Sequence, residues 1–133
     1  MVEYIVGIRG SGKTSRMIKK AIDLSKDENN TVVFVDCGNG LNCVLPPNIR
    51  LINANDFDIF GAKVLYGFLL GLCAGNYDIT DIFVDCALRI IWNKTTDMDD
   101  FMNLMSEASR KTGVNFHFAY CDEFTPKIIE ECI

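Results

Sequence analysis

The fold class this chain predicts is α/β: a three-layer αβα sandwich around a mostly parallel sheet of about five strands. Three observations predict it. Short apolar runs alternate along the chain with segments of helical periodicity. The run Val32-Val33-Phe34-Val35 is apolar without alternation, as suits a parallel strand covered on both faces. Glycine-rich residues 7–14 join the first apolar run to the first helical segment, giving strand, turn, helix in that order.

The elements follow in sequence. A strand is expected over 3–6, then a helix over 13–26 with Met17, Ile18, Ala21, Ile22 and Leu24 as its apolar stripe. Turn formers at 27–30 stop it. A strand over 31–36 leads into a loop over 38–48, which contains Asn39-Gly40 and Pro46-Pro47. A short strand at 50–53 precedes the most apolar stretch, residues 57–73, expected to form a helix ending near Gly75. Asp58, Lys63 and three glycines interrupt that stretch, which is also short for a membrane span. It is expected to be buried against the sheet, with an oligomer contact as the alternative.

Residues 80–85 form the next expected strand, with Ile82, Phe83 and Val84 as its core. The helix opening at 95–100 has Thr96 or Asp97 as its cap, and an acidic first turn suits its dipole. Phe101, Leu104, Met105 and Ala108 make its buried stripe, and Gly113 ends it. A last strand over 114–121 is followed by a short helix from Thr125 or Pro126.

With 133 residues and 49% apolar content, one domain over 1–133 is expected. The net charge of −5 gives no support for autonomous nucleic-acid binding. The first residues lack a basic region followed by an apolar segment, so a cytoplasmic location with reduced thiols is expected. None of the six cysteines forms a C-x-x-C pair, which argues against a zinc ribbon. Cys37, Cys86 and Cys121 stand at strand ends, where tight packing is favoured over a thiolate metal site. His117, between Phe116 and Phe118, reads as a core or near-surface histidine rather than a base.

Residues 7–14 read Gly-Ile-Arg-Gly-Ser-Gly-Lys-Thr, a full match to the phosphate-binding octet known as Walker A. Gly7, Gly10 and Gly12 let the backbone turn tightly and approach phosphate oxygens. Successive backbone N–H groups and the following helix N-terminus supply partial positive charge. Arg9, Gly10, Ser11, Gly12, Lys13, Thr14 and Ser15 are the expected nucleotide contacts, with the role of Arg9 left open. Lys13 offers an ammonium to the β- and γ-phosphates, and Thr14 a hydroxyl to Mg²⁺. A carboxylate at a neighbouring strand end completes such a metal site. Asp36, Asp85 and Asp122 all qualify.

Further matches follow the octet: Asp81-Ile82-Phe83-Val84-Asp85, then Ser109-Arg110-Lys111-Thr112-Gly113, then the strand Val114-Asn115-Phe116-His117-Phe118-Ala119-Tyr120. Together they resemble the additional-strand core of P-loop ATPases related to RecA, especially the phage and plasmid DNA-motor type. The resemblance implies a P-loop NTPase fold, ATP (or another NTP) and Mg²⁺ as cofactors, and Asp85 as the Walker B metal carboxylate. It places Asp122 or Glu123 in the sensor region. The resulting catalytic set is Lys13, Asp85 and Glu123, and the metal set is Thr14 and Asp85. It also implies nucleic acid as a partner, against the net charge.

Two departures stand out. Cys86 follows Asp85 where those ATPases carry a water-activating Glu. The strand that flanks the octet strand on its outer side in that family is not expected among the five strands read here, so the strand before the octet is expected at a sheet edge, with self-association or a partner protein near it or near the apolar helix. The leading expectation is an ATP-binding protein with weak or partner-dependent hydrolysis. The alternatives are a nucleoside or nucleotide kinase and a non-catalytic nucleotide-sensing assembly module.

Overall fold

The computed structural model describes residues 1–7, 12–37, 44–85, 87 and 95–121, excluding the side chains of 95–98, 120 and 121. Its elements are β1 (Val2–Gly7), α1 (Lys13–Ser25), β2 (Val32–Asp36), β3 (Arg50–Asn53), α2 (Ala62–Gly75), β4 (Asp81–Val84), α3 (Thr95–Thr112) and β5 (Asn115–Cys121). A 3₁₀ turn at Ala54–Phe57 precedes α2. The C-terminal helix expected from Thr125 or Pro126 lies outside the described residues, as does the 38–43 part of the loop.

The five strands form one sheet in the order β1-β5-β4-β2-β3, and every pair is parallel. Parallel neighbours need crossover connections, and the three helices supply the cover. Met17 and Ala21 of α1 pack on Phe34, Phe83 and Ala119, one face of the sheet. On the other face Leu65 and Leu69 of α2, with Phe101 and Met105 of α3, pack on Val35, Val84 and Phe118. This is the three-layer αβα arrangement expected from the alternation of elements.

β5 is the only strand neighbour of β1 among the described residues, so β1 lies at the edge of the described sheet. Edge position explains why all of β1 is half-buried while β2 is buried throughout.

Three expectations are corrected. The apolar helix does not start near residue 57. Asp58 adopts φ 53° and Gly61 φ 89°, both left-handed, so the 3₁₀ turn cannot run on into α2. Nor is α2 deeply buried. Leu65, Leu69 and Cys73 form its single buried stripe, while Val64 is 50% exposed and Phe57 and Phe60 are exposed beside it. In α3 the buried stripe includes Met102, and Leu104 is 43% exposed. The helix also begins at Thr95, which puts Thr96 and Asp97 inside its first turn rather than at the cap. Gly113 closes it, donating its N–H to the Ser109 carbonyl at 2.9 Å. Among the described residues no helix is long and apolar enough to cross a membrane.

Candidate functional site

The carboxyl ends of parallel strands are where α/β sheets place ligands. Here that edge gathers Gly7 from β1, Asp36 from β2 and Asp85 just past β4. Gly12 caps α1 at the same edge with φ 85°. An added Cβ at Gly12 would meet nothing within 4 Å among the described residues, and the positive φ alone favours glycine there. The first turn of α1 carries no acidic residue, which leaves the positive end of its dipole unopposed by its own side chains.

Two hydrogen bonds tie the octet together and tie it to the sheet. Lys13 Nζ donates to the Gly7 carbonyl at 2.9 Å, reaching back across the loop. Thr14 Oγ1 donates to Asp85 Oδ2 at 2.8 Å, between residues 71 positions apart. Asp85 is held at the strand end because its backbone N–H donates to the Val35 carbonyl at 2.9 Å. β5 lies between β1 and β4, so this bond ties the helix that follows β1 to the strand two places along the sheet.

Asp36 is the next residue along the edge. Val35 pairs with Val84, so Asp36 and Asp85 follow in register on adjacent strands, on the face that α1 covers. They are only 2% and 3% exposed. Burying a carboxylate is costly unless other groups compensate, and the Thr14 hydroxyl is one such group for Asp85. Of the three strand-end carboxylates left open by the sequence, Asp85 accepts from the Thr14 hydroxyl and Asp36 adjoins it, while Asp122 lies outside the described residues.

The other expected site residues divide clearly. Gly12, Lys13 and Thr14 converge on the edge, and Ser15 is exposed on the first turn of α1. Arg9, Gly10, Ser11, Cys86, Asp122 and Glu123 lie outside the described residues. So do the side chain of Cys121 and hence two of the three strand-end thiols. Cys37 is buried at the end of β2. Among the described residues no group of three or more His, Cys, Asp or Glu could hold a metal ion.

A second polar cluster under α1 escaped the sequence reading. His117, only 1% exposed, meets Asp81 and Glu3, and Glu3 pairs with Lys20 of α1. Its members come from four elements, so only the strand register brings them together.

No family model matches the chain, and no curated protein matches it.

Proposed function

We propose that the chain binds a nucleoside triphosphate, ATP, together with Mg²⁺, on a P-loop core related to that of RecA-like ATPases. The Thr14–Asp85 hydrogen bond at 2.8 Å carries the reading, because it joins the last residue of the octet to an apolar-strand carboxylate far along the chain. The single strand between β1 and β4 also supports it, as an additional-strand core requires. The donor set suits the cation: a hydroxyl and two carboxylates are all hard oxygen ligands, the kind Mg²⁺ prefers.

In this reading the Lys13 ammonium exchanges the Gly7 carbonyl for phosphate oxygens. The α1 N-terminus and the octet amides hold the remaining phosphate charge. Thr14 and Asp85, with Asp36 beside them, hold the metal, which supplies charge neutralisation when bound. Hydrolysis is conditional, because a thiol at Cys86 is a poor substitute for a water-orienting carboxylate. A cytoplasmic setting goes with this reading. A second copy of the chain is the proposed partner, through the β1 edge or the exposed apolar side of α2. Light scattering of the native protein with and without ATP, beside Val64→Ser, tests this; a monomer throughout overturns it.

The main test is a binding panel of ATP and GTP with and without Mg²⁺, beside phosphate release. Mg-ATP binding is expected, and Lys13→Ala is expected to weaken it about ten- to a hundredfold, the worth of a charged hydrogen bond. Undiminished binding in that variant, or no binding of any triphosphate, sinks the proposal. Cys86 favours one second reading, a non-catalytic nucleotide sensor. Tight binding without turnover in the native protein, with turnover gained in Cys86→Glu, selects it.

A further inference from the structure

The outward face of α2 departs from the usual rule for a surface helix. Leu65, Leu69 and Cys73 form its buried stripe. Val64, Gly67, Gly71 and Ala74, spaced three and four apart, share the opposite face and are exposed. A helix covered on one side normally turns charged residues to the other. Here no charged residue occurs from Val64 to Gly75. Phe57 and Phe60 lie exposed just before the helix, and Tyr77, 94% exposed, lies just after it. At about 200 Å² per aromatic side chain, these three leave roughly 400 Å² in solvent. That is about half of the ~800 Å² that a standard interface buries on each partner, before the helix face between them is added.

Gly67 and Gly71 bear on how closely that face is approached. Glycine within a helix is disfavoured against alanine, because it has more backbone freedom to lose. Both residues lie in regular helix, and an added Cβ at either would meet nothing within 4 Å among the described residues. Neither backbone conformation nor packing among those residues calls for glycine. Two such positions one turn apart on an exposed apolar face leave room for another backbone to come close.

The charges at the helix ends indicate which backbone. The first turn of α2 has no acidic residue and the last turn no basic one. Lys63, the only charge on the helix, stands exposed in the first turn, where the dipole favours an anion. Asp78 stands exposed just past the helix end, where the dipole favours a cation. Both are misplaced for α2 alone. Both are well placed for an antiparallel neighbour of the same sequence, because each then meets the opposite end of the other helix.

We propose that α2 of one copy packs antiparallel on α2 of a second copy, across a two-fold axis between Gly67 and Gly71. The patch is self-complementary, as a two-fold contact requires. Glycine meets glycine at the centre, and Val64 meets Ala74 of the second copy. Lys63 of each copy lies beside Asp78 of the other, and Phe60 and Tyr77 close the two ends. This rests on the proposed function only in taking a second copy as partner; it selects α2 over the β1 edge and requires no nucleotide.

Sedimentation equilibrium without nucleotide, over a range of protein concentrations, tests this. The native chain is expected to be a dimer. Gly71→Leu adds its side chain on the open side of a regular helix, so it keeps the fold, and far-UV circular dichroism checks that. It is expected to weaken association about tenfold or more by holding the helices apart. Lys63→Glu and Asp78→Lys each set like charges together, and each is expected to weaken association several-fold. The double variant exchanges the charges and is expected to recover most of that loss. A monomer throughout the series, as when another part of the same chain covers α2, overturns the proposal. So does a dimer that Gly71→Leu leaves intact, which would move the contact to the β1 edge. A double variant no tighter than the single ones, as a parallel pair would give, overturns it too. Mg-ATP binding is measured separately on the Gly71→Leu protein, so a failure there counts against the proposed function and not against the dimer.

Discussion

The two faces of the sheet are built from the same five strands to opposite ends. Toward α2 and α3 the buried sheet residues are apolar: Val33, Val35, Ile82, Val84, Phe116 and Phe118. Toward α1, one residue over on each strand, the pattern changes. Asp36 follows Phe34 on β2, Asp81 and Asp85 bracket Phe83, and His117 lies beside Ala119. Side chains alternate between faces along a strand, so one sequence can write both at once. The comparison teaches where stability and chemistry are separated. One face is a dry core, and the other accepts the cost of buried charge in two clusters, one near the α1 N-terminus and one beneath Lys20.

The largest effect is expected from breaking the dry face. Phe118 is fully buried, and its ring meets Tyr4, Phe101 and Phe116. Phe118→Ala should cost about 3–5 kcal/mol in urea unfolding, lost transfer energy plus a cavity. A much smaller loss would mean this face is less tightly packed than its contacts indicate.

A middle-sized effect sharpens the other face. Asp81→Asn removes the charge that holds His117 Nε2, and should cost about 1.5–3 kcal/mol at neutral pH. Its acid dependence has a definite sign. The Asp81 carboxyl is lowered in the folded state, so its contribution is present above the ordinary carboxylate value of about 3.9 and is lost as pH falls through the folded value. Native protein should therefore lose stability in strong acid by an increment that Asp81→Asn lacks. Equal acid profiles for the two proteins would contradict it.

The smallest effect lies outside both faces. Val64 is half exposed on α2, and Val64→Ser should leave the unfolding free energy of the monomer within about 0.5 kcal/mol. A larger loss, growing with protein concentration, would show that a second copy covers this side.

The sequence made some of this legible and hid the rest for physical reasons. The strands and helices were readable because apolar periodicity reports burial directly. The nearness of Thr14 to a strand-end carboxylate could be anticipated because the octet names one partner, but several apolar runs end in Asp, and only the resemblance singled out Asp85, which accepts the Thr14 hydroxyl. The break before α2 was hidden because it depends on left-handed backbone at Asp58 and Gly61, while the surrounding residues stay apolar. The partial exposure of α2 was hidden because hydrophobicity does not say how much neighbouring structure is available to cover it. The His117 cluster was hidden most completely. His117 and Glu3 are adjacent only once β1 pairs with β5, and the 3.7 Å approach is a product of register.

That same pairing has a consequence for how the molecule comes into being. Val2 pairs with Phe116 and Gly7 with Cys121, so the first strand finds its only described neighbour in the last. Contacts of such sequence separation form slowly, because a long loop must close before any of them is rewarded. During synthesis the octet emerges first and waits, since the strand that anchors it is made after α3. The edge that carries Thr14 and Asp85 is thus among the last parts of the protein to mature, and premature arrest of the chain would yield helices and a partial sheet without it.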